Sequence, residues 1–250
     1  MPHTPHRHVL PLIPALAGAL LATGAAAQVC ELRAGSRPPA VVELYTSEGC
    51  SSCPPADRWL STLKSPDNVL ALSFHVNYWN HLGWRDPFAT RETTARQYLL
   101  KDALGGKHVY TPQVVLNGRD HRGWYGQRAG NLSGLPAATA PALRLNRQGN
   151  VVTAQVAATT GSEPAGELAG YWAVLQDGLL SKVTRGENAG EDLRHDHVVS
   201  LYQPVPAWKA AQGGGAELTL PARSVQRVAF VVTDPGLTRP LQALVLHCPA

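Results

Sequence analysis

The sequence predicts an α/β domain followed by a mainly antiparallel, sandwich-like β domain. In the first half of the chain, continuous apolar runs alternate with helix-like segments, which is typical of an α/β unit. After Pro141, clusters of Gly, Pro, Asn and Asp separate many short apolar runs, which is typical of an antiparallel sandwich. We therefore place the two domains at residues 38–142 and 143–248, after a signal peptide at residues 1–27.

Each element of the first domain is predicted from an apolar run and the residues that interrupt it. Val41 to Thr46 is a short continuous apolar run, so we predict a buried strand there. Proline and glycine mark where the helices begin and end, and Asn-Gly marks a hairpin turn. In chain order the predicted elements are a strand at 41–46, a helix from Pro54 that ends before Pro66, a strand at 69–76, a helix from Pro87 to Gly105, a strand at 113–116, a turn at Asn117-Gly118, a strand near 119–125 and a helix within 127–143.

The second domain is predicted to contain strands. Its apolar runs are short and turn-forming residues separate many of them, so consecutive strands can pair in antiparallel fashion. The predicted strands are residues 143–145, 151–157, 168–176, 179–183, 197–202, 217–220, 225–233 and 241–247.

The first residues of the chain have the pattern of an export signal. Histidines and an arginine precede an apolar run from Val9 to Ala22, and small residues ending at Ala27 supply a cleavage site. We expect the mature chain to begin at Gln28 and to be periplasmic or secreted, where disulfides persist. The net charge of +4 is small and the arginines are scattered, so we expect no nucleic-acid partner. No later segment is apolar for long enough to predict a membrane span.

The most informative motif is the C-x-x-C sequence formed by Cys50 and Cys53. It lies between the strand at 41–46 and the helix from Pro54. At a helix N-terminus, free amide groups and the positive end of the helix dipole favour the thiolate form of the first cysteine. The pattern favours a redox-active dithiol in which Cys50 is the exposed, attacking thiol and forms a disulfide with Cys53. An inert structural disulfide and a metal site are the alternatives.

Two further cysteines, Cys30 and Cys248, lie near the two ends of the mature chain. If Cys50 pairs with Cys53, these two remain as partners for each other, and free thiols are rare in an oxidising compartment. We therefore predict a Cys30–Cys248 disulfide that ties the termini together.

Several polar residues stand out from their surroundings. Glu43 interrupts a predicted buried strand, where an unpaired charge is costly. His75 and His81 lie in a loop rich in aromatic residues, and we interpret them as hydrogen-bonded structural histidines. On a strand, His195 and His197 would point to one face, but no third ligand accompanies them, so we predict a structural role and no metal site.

The stretches at residues 42–57 and 75–88 closely resemble a bacterial exported family known as domain of unknown function 1223. That family is placed in the thioredoxin-like superfamily. The resemblance extends through residues 110–113 and, more weakly, through residues 185–188. It implies that the first domain is an α/β thioredoxin-like domain with a dithiol–disulfide site, ahead of the β-rich domain.

The resemblance also implies roles for residues around the motif. Pro112 matches the cis-proline that faces the dithiol in thioredoxin-like proteins, and Thr111 would supply backbone contacts to a bound peptide. Glu43 would carry a proton to or from the resolving cysteine, with a structural acid paired with Arg, His or an amide as the alternative. Tyr78 and Trp79 would contact an unfolded partner, with plain packing onto the domain as the alternative.

Three functions follow as hypotheses. The first is an exported thiol–disulfide oxidoreductase that acts on a disulfide- or thiol-containing protein or small substrate through Cys50 and Cys53, with no cofactor. The second is a non-catalytic envelope binding module in which the same two cysteines form a permanent disulfide. The third is a site for Cu(I) or another soft metal with both thiolates as ligands.

Overall fold

The computed structural model describes Met1 and residues 29–63, 68–159, 166–221 and 227–248. Apart from Met1, the predicted signal peptide lies outside the described residues. Strands account for 42% of the structure and helices for 16%, with two α-helices. Among the described residues, no helix is both long enough and apolar enough to cross a membrane.

The described residues form fourteen strands, two α-helices and four short 3₁₀ turns. The strands are β1 (Val29–Arg33), β2 (Ala40–Thr46), β3 (Val69–His75), β4 (Gln113–Leu116), β5 (Arg119–Asp120), β6 (Leu143–Gln148), β7 (Val151–Val156), β8 (Glu167–Gln176), β9 (Leu179–Lys182), β10 (Asp192–His195), β11 (Val198–Lys209), β12 (Gly214–Thr219), β13 (Arg227–Thr233) and β14 (Pro240–His247). The α-helices are α1 (Pro54–Ser61) and α2 (Arg91–Ala103). The 3₁₀ turns are Asn80–Leu82, Ala129–Asn131, Ala137–Thr139 and Ala210–Gln212.

Eight strands form the main sheet, in the order β14-β13-β8-β11-β3-β2-β4-β5. Strand β2 is parallel to β3, and β3 meets β11 in parallel where Ser73 lies opposite Val198. The other neighbours in this sheet are antiparallel. A second sheet has four strands in the order β1-β6-β7-β12, and β9 pairs with β10 in a separate two-stranded ribbon.

The predicted fold class is wrong. We predicted an α/β thioredoxin-like domain followed by a β-sandwich, but the chain is mostly β, with two α-helices in the described part. Strands β2 to β5, from the predicted first domain, share one sheet with β8, β11, β13 and β14, from the predicted second. The helix predicted within residues 127–143 is replaced by two 3₁₀ turns. Local patterns located most of the strands, but pairing between distant segments decides which strands share a sheet. The boundary near residue 142 stays a prediction.

Strands β2 and β3 end side by side because they are parallel and in register. All of their residues are buried, as expected for apolar strands covered on both faces. Thr46 lies opposite His75, so the loops after both strands leave the sheet at the same edge. Helix α1 begins directly after Cys53, because Pro54 and Pro55 have no amide hydrogen at positions where a helix leaves that hydrogen unbonded.

Near β2, the main sheet is covered on both faces. On one face Tyr45 stacks on Phe74 with 5.4 Å between ring centroids, next to α2. On the other face Leu44 packs against the apolar side chains of α1. Because side chains alternate along a strand, β2 directs Glu43 with Tyr45 to the first face and Thr46 to the second.

The four-stranded sheet packs against the other end of the main sheet. Trp172 and Phe230 lie with their ring centroids 4.6 Å apart, and Val152 from the four-stranded sheet joins the same buried cluster. The structure contains the predicted disulfide between Cys30 and Cys248, which are 218 positions apart in the sequence. This bond joins β1 to the residue that follows β14 and so links the two sheets covalently.

Candidate functional site

The predicted disulfide between Cys50 and Cys53 is present at the N-terminus of α1. The amide of Cys50 donates to the carbonyl of Ser47 at 3.1 Å, which turns the chain back after β2. The hydroxyl of Ser52 lies 3.4 Å from Cys50 Sγ. Cys53 occupies the N-cap position of α1, and its side chain makes no capping hydrogen bond. The two sulfurs therefore have different surroundings.

Both cysteines are buried, and the loop between β9 and β10 lies against the backbone of the motif. Cys50 is 1% exposed and Cys53 is 0% exposed, so our expectation that Cys50 is an exposed thiol is wrong. We call residues 185–188 the cover loop. Its Asn188 Nδ2 donates to the carbonyl of Glu48 at 2.8 Å and to the carbonyl of Cys50 at 3.0 Å. These two bonds hold the loop against the backbone of the motif.

The cover loop also places a carboxylate at the start of α1. The amide of Ser51 donates to Glu187 Oε2 at 3.0 Å, and this bond lowers the pKa of the Glu187 carboxyl. Gly186 has a φ of +77°, and a Cβ there would lie 3.4 Å from Trp84 Cβ. The loop therefore rests on the aromatic segment as well as on the motif.

Two of the four predicted substrate-binding residues contact each other beside the motif. Trp79 Nε1 donates to Thr111 Oγ1 at 2.8 Å, and the Thr111–Pro112 peptide bond is cis, as predicted. A Cβ at Gly49 would lie 2.9 Å from Trp79 Cβ, so any larger residue there would displace Trp79. Tyr78 packs against the core, and burial raises its pKa to about 12. Trp79 thus connects the motif loop to Thr111, and the substrate contacts of all four residues stay a prediction.

Glu43 belongs to a different cluster, on the α2 face of β2. Arg96 Nη2 and Nε donate to its two carboxylate oxygens at 2.6 Å and 3.0 Å, and both side chains are buried. The hydroxyls of Tyr45 (2.6 Å) and Tyr171 (3.3 Å) also donate to it. These are the partners that the structural interpretation of Glu43 requires. Among the described residues, no hydrogen bond joins Glu43 to either cysteine of the motif.

A second buried polar cluster lies on the α1 face, formed by Asp57 of α1, His75 of β3 and His195 of β10. Asp57 Oδ1, His75 Nε2 and His195 Nδ1 have no hydrogen-bond partner, and the ligand atoms of the three residues lie within 4.8 Å of one another. His197 does not join them. Its φ is +59°, and its Nδ1 lies 3.1 Å from Arg227 Nη2. The prediction that His195 and His197 share one strand face is therefore wrong.

Each member of this cluster is held through its other polar atom. The bonds are Thr46 Oγ1 to Asp57 Oδ2 at 3.0 Å, Asp86 Oδ2 with His75 Nδ1 at 2.7 Å, and Glu48 Oε1 with His195 Nε2 at 3.1 Å. Burial raises the pKa of the Asp57 carboxyl. Burial alone would lower the pKa of His75, but the Asp86 carboxylate outweighs it and the pKa is raised.

Sequence reasoning missed Asp57, Glu48 and Asn188. The first two lie inside the stretch that resembles the family. Asp57 lies on the side of α1 that packs against the sheet, where a carboxylate is unusual, and this was an available signal. For Asn188, the weaker resemblance at residues 185–188 was the available signal.

The match to a family model covers the whole of this site. The model described as "Protein of unknown function (DUF1223)" matches residues 41–233, which include the motif, the cover loop and both buried clusters. The chain belongs to this family. Our prediction of the family from its sequence stretches is therefore confirmed. A comparison with proteins of curated function finds no match.

Two solved structures resemble this family member. Protein AGR_C_4864 from Agrobacterium tumefaciens has a TM-score of 0.63 and 29% identity, over 83% of this chain and 93% of that chain. HBP35 of Porphyromonas gingivalis has a TM-score of 0.50 and 17% identity, over 84% of this chain and 74% of that chain. The second likeness concerns the fold alone.

Proposed function

We propose that this protein is an exported thiol–disulfide oxidoreductase in which Cys50 is the attacking thiol. The observation that carries the proposal is the difference between the two sulfurs at the start of α1. Ser52 places a hydroxyl 3.4 Å from Cys50 Sγ, where it can donate to a thiolate once the disulfide is reduced. Cys53 follows as the N-cap residue, where the helix dipole favours the thiolate that a resolving cysteine needs to attack Cys50.

The reaction proceeds in two exchanges. The Cys50 thiolate attacks one sulfur of a substrate disulfide, forms a mixed disulfide and releases the other substrate sulfur as a thiolate. The deprotonated Cys53 then attacks Cys50 Sγ, re-forms the Cys50–Cys53 bond and releases the second substrate thiolate. Two electrons pass from the dithiol to the substrate, and the same steps in reverse oxidise a dithiol substrate.

Cys50 is 1% exposed, so a substrate protein can reach it only after the structure around the motif opens, and in this proposal the cover loop is the part that moves. The loop is held to the motif by two hydrogen bonds from Asn188 and by one from Ser51 to Glu187. Export is part of the proposal because both cysteine pairs form disulfides, which persist in oxidising compartments.

The test combines a redox titration with two cysteine variants. In DTT and glutathione buffers, a potential between about −120 and −270 mV, together with insulin reduction, supports the exchange enzyme. Cys53→Ser should accumulate a mixed disulfide with a cystine peptide, whereas Cys50→Ser should not. The matched control is Cys30→Ser with Cys248→Ser, which removes the other disulfide and should keep insulin reduction. Mixed-disulfide formation through Cys53 in place of Cys50 would reverse the assignment.

One observation favours the non-catalytic binding module instead. Cys50 and Cys53 are 1% and 0% exposed, as expected for a permanent disulfide. A much lower potential with no insulin reduction would select this function. The partner would then contact the protein elsewhere, and the disulfide would only stabilise the turn into α1.

A further inference from the structure

Three buried polar atoms of one side-chain cluster have no hydrogen-bond partner. Asp57 Oδ1, His75 Nε2 and His195 Nδ1 are buried and without hydrogen bonds, and the ligand atoms of these residues lie within 4.8 Å of one another. The side chains of His75 and His195 are 0% and 2% exposed, and that of Asp57 is 7% exposed. A buried polar atom without a partner is rare in a folded protein, and here three such atoms meet.

The outer hydrogen bonds decide which atoms of the histidines are free. Asp86 accepts from His75 Nδ1, and Glu48 accepts from His195 Nε2. In neutral imidazoles these bonds place the protons on the outer nitrogens, so His75 Nε2 and His195 Nδ1 carry lone pairs. Three acceptors then face one another with no donor between them.

A cation resolves this arrangement. The cluster and its outer partners include three buried carboxyl groups, those of Asp57, Glu48 and Asp86, and among the described residues no lysine or arginine is ion-paired with any of them. Histidines that bind a metal commonly donate their other ring N–H to a carboxylate, which is the arrangement of His75 with Asp86 and of His195 with Glu48.

We propose that Asp57, His75 and His195 bind a divalent transition-metal ion, for which Zn²⁺ is the probe. Two imidazole nitrogens and one carboxylate oxygen form a donor set that suits Zn²⁺ or Fe²⁺, whereas Mg²⁺ and Ca²⁺ prefer oxygen ligands throughout. In a tetrahedral site with bonds of about 2.0–2.2 Å, ligand atoms lie about 3.3–3.6 Å apart. The ligand atoms here lie within 4.8 Å of one another, so the most distant pair must move closer by roughly 1 Å on binding.

This site is distinct from the dithiol, although Asp57 lies one helical turn beyond Cys53. In the disulfide form the two sulfurs bond to each other and are not thiolate ligands. The inference therefore goes beyond the proposed redox function and holds whether or not the motif exchanges disulfides. The Cys50→Ser, Cys53→Ser double variant cannot exchange disulfides. If it still binds zinc, the metal site stands even where the redox proposal fails.

The experiment titrates the untagged full chain with Zn²⁺ after treatment with EDTA and dialysis. We expect one zinc per chain in the wild type, in the double cysteine variant and in the matched control His81→Gln, which changes an exposed histidine. Affinity should fall at least tenfold in Asp57→Asn and in His75→Gln. Glu48→Gln changes only an outer partner, and a loss of about 10- to 100-fold is expected.

Two spectroscopic measurements on the wild type test the metal site without relying on whether the variants fold. The Co²⁺ form of the wild type should show absorption typical of nitrogen and oxygen ligands, without a sulfur charge-transfer band. Proton–nitrogen NMR spectra should place zinc at Nε2 of His75 and at Nδ1 of His195. Absence of zinc binding by the wild type, binding unchanged in Asp57→Asn, or ligation through the opposite ring nitrogens would overturn the proposal.

Discussion

Two buried polar clusters lie on opposite faces of the same strand, β2, and they differ in how completely their atoms are paired. On the α2 face, Arg96 bonds both oxygens of Glu43, and the hydroxyls of Tyr45 and Tyr171 add two more bonds. On the α1 face, the cluster around Asp57 has three polar atoms without a partner. Buried polar groups are nearly always satisfied in native proteins. The paired cluster is therefore explained by stability, and the unpaired cluster is the one for which we propose a ligand.

The difference also shows why a conspicuous residue is a poor guide to chemistry. Glu43 interrupts an apolar run and attracted a catalytic assignment, yet its contacts are those of a buried ion pair. Asp57 lies in a short helix and was given no role from the sequence. Only the folded structure brings it next to His75 and His195. What distinguishes the two carboxylates is the set of partners around each of them.

The largest expected effect tests the paired cluster. Arg96→Met leaves the Glu43 carboxylate buried without its cation, and we expect a loss of about 3–5 kcal/mol in the free energy of unfolding. Urea denaturation measures this loss. The matched control is Arg91→Met, which changes an exposed arginine of the same helix and should shift stability by less than about 0.5 kcal/mol. A loss below about 1 kcal/mol for Arg96→Met would remove the contrast between the clusters.

The second prediction concerns metal binding to the unpaired cluster. At a zinc concentration 100 times its Kd, binding to the folded state alone raises the free energy of unfolding by about 2.7 kcal/mol. Urea curves with zinc and with EDTA measure the difference. Because its affinity should fall at least tenfold, Asp57→Asn should gain at most about 1.4 kcal/mol at the same zinc concentration. An equal zinc effect in that variant would place the metal elsewhere.

A smaller effect is expected when the unpaired cluster is altered without metal. Asp57→Asn keeps an oxygen for Thr46 and supplies an amide that can donate to His195. We expect the metal-free variant to lie within about 1 kcal/mol of the wild type, because it keeps the Thr46 hydrogen bond and loses only a 3.9 Å contact with His195. The measurement is urea denaturation in EDTA, side by side with Arg96→Met. A loss as large as that of Arg96→Met would show that the two clusters are equally structural.

The smallest change in stability is expected for a substitution at Glu187 in the cover loop, next to the start of α1. Glu187→Gln removes a negative charge that faces the start of α1, where it opposes a Cys50 thiolate. We expect DTT to reduce the Cys50–Cys53 disulfide severalfold faster, with little change in stability. The rate is followed by alkylation of the new thiols, and Glu191→Gln, in the same connection, is the control. An unchanged rate would show that the Glu187 charge does not influence reduction of the motif.

Local features of the site were predictable from the sequence because they depend on neighbouring residues. A strand followed by C-x-x-C and two prolines predicts a disulfide at a helix N-terminus, and the structure has it there. The cis bond at Thr111–Pro112 and the family membership also followed from short stretches of sequence. The Cys30–Cys248 pair followed from the two cysteines that remained.

The sequence by itself determined the motif, the disulfides, most of the strands and the family, since each depends on local pattern or on counting. Tertiary structure decided the fold class, because β11 joins β3 through Ser73 and Val198, and no local signal specifies pairing between such distant strands. It also decided the burial of Cys50 and the meeting of Asp57 with its two histidines. Those contacts form only when α1, the main sheet and the two-stranded ribbon pack together. The spacing of these residues along the chain therefore does not predict the contacts.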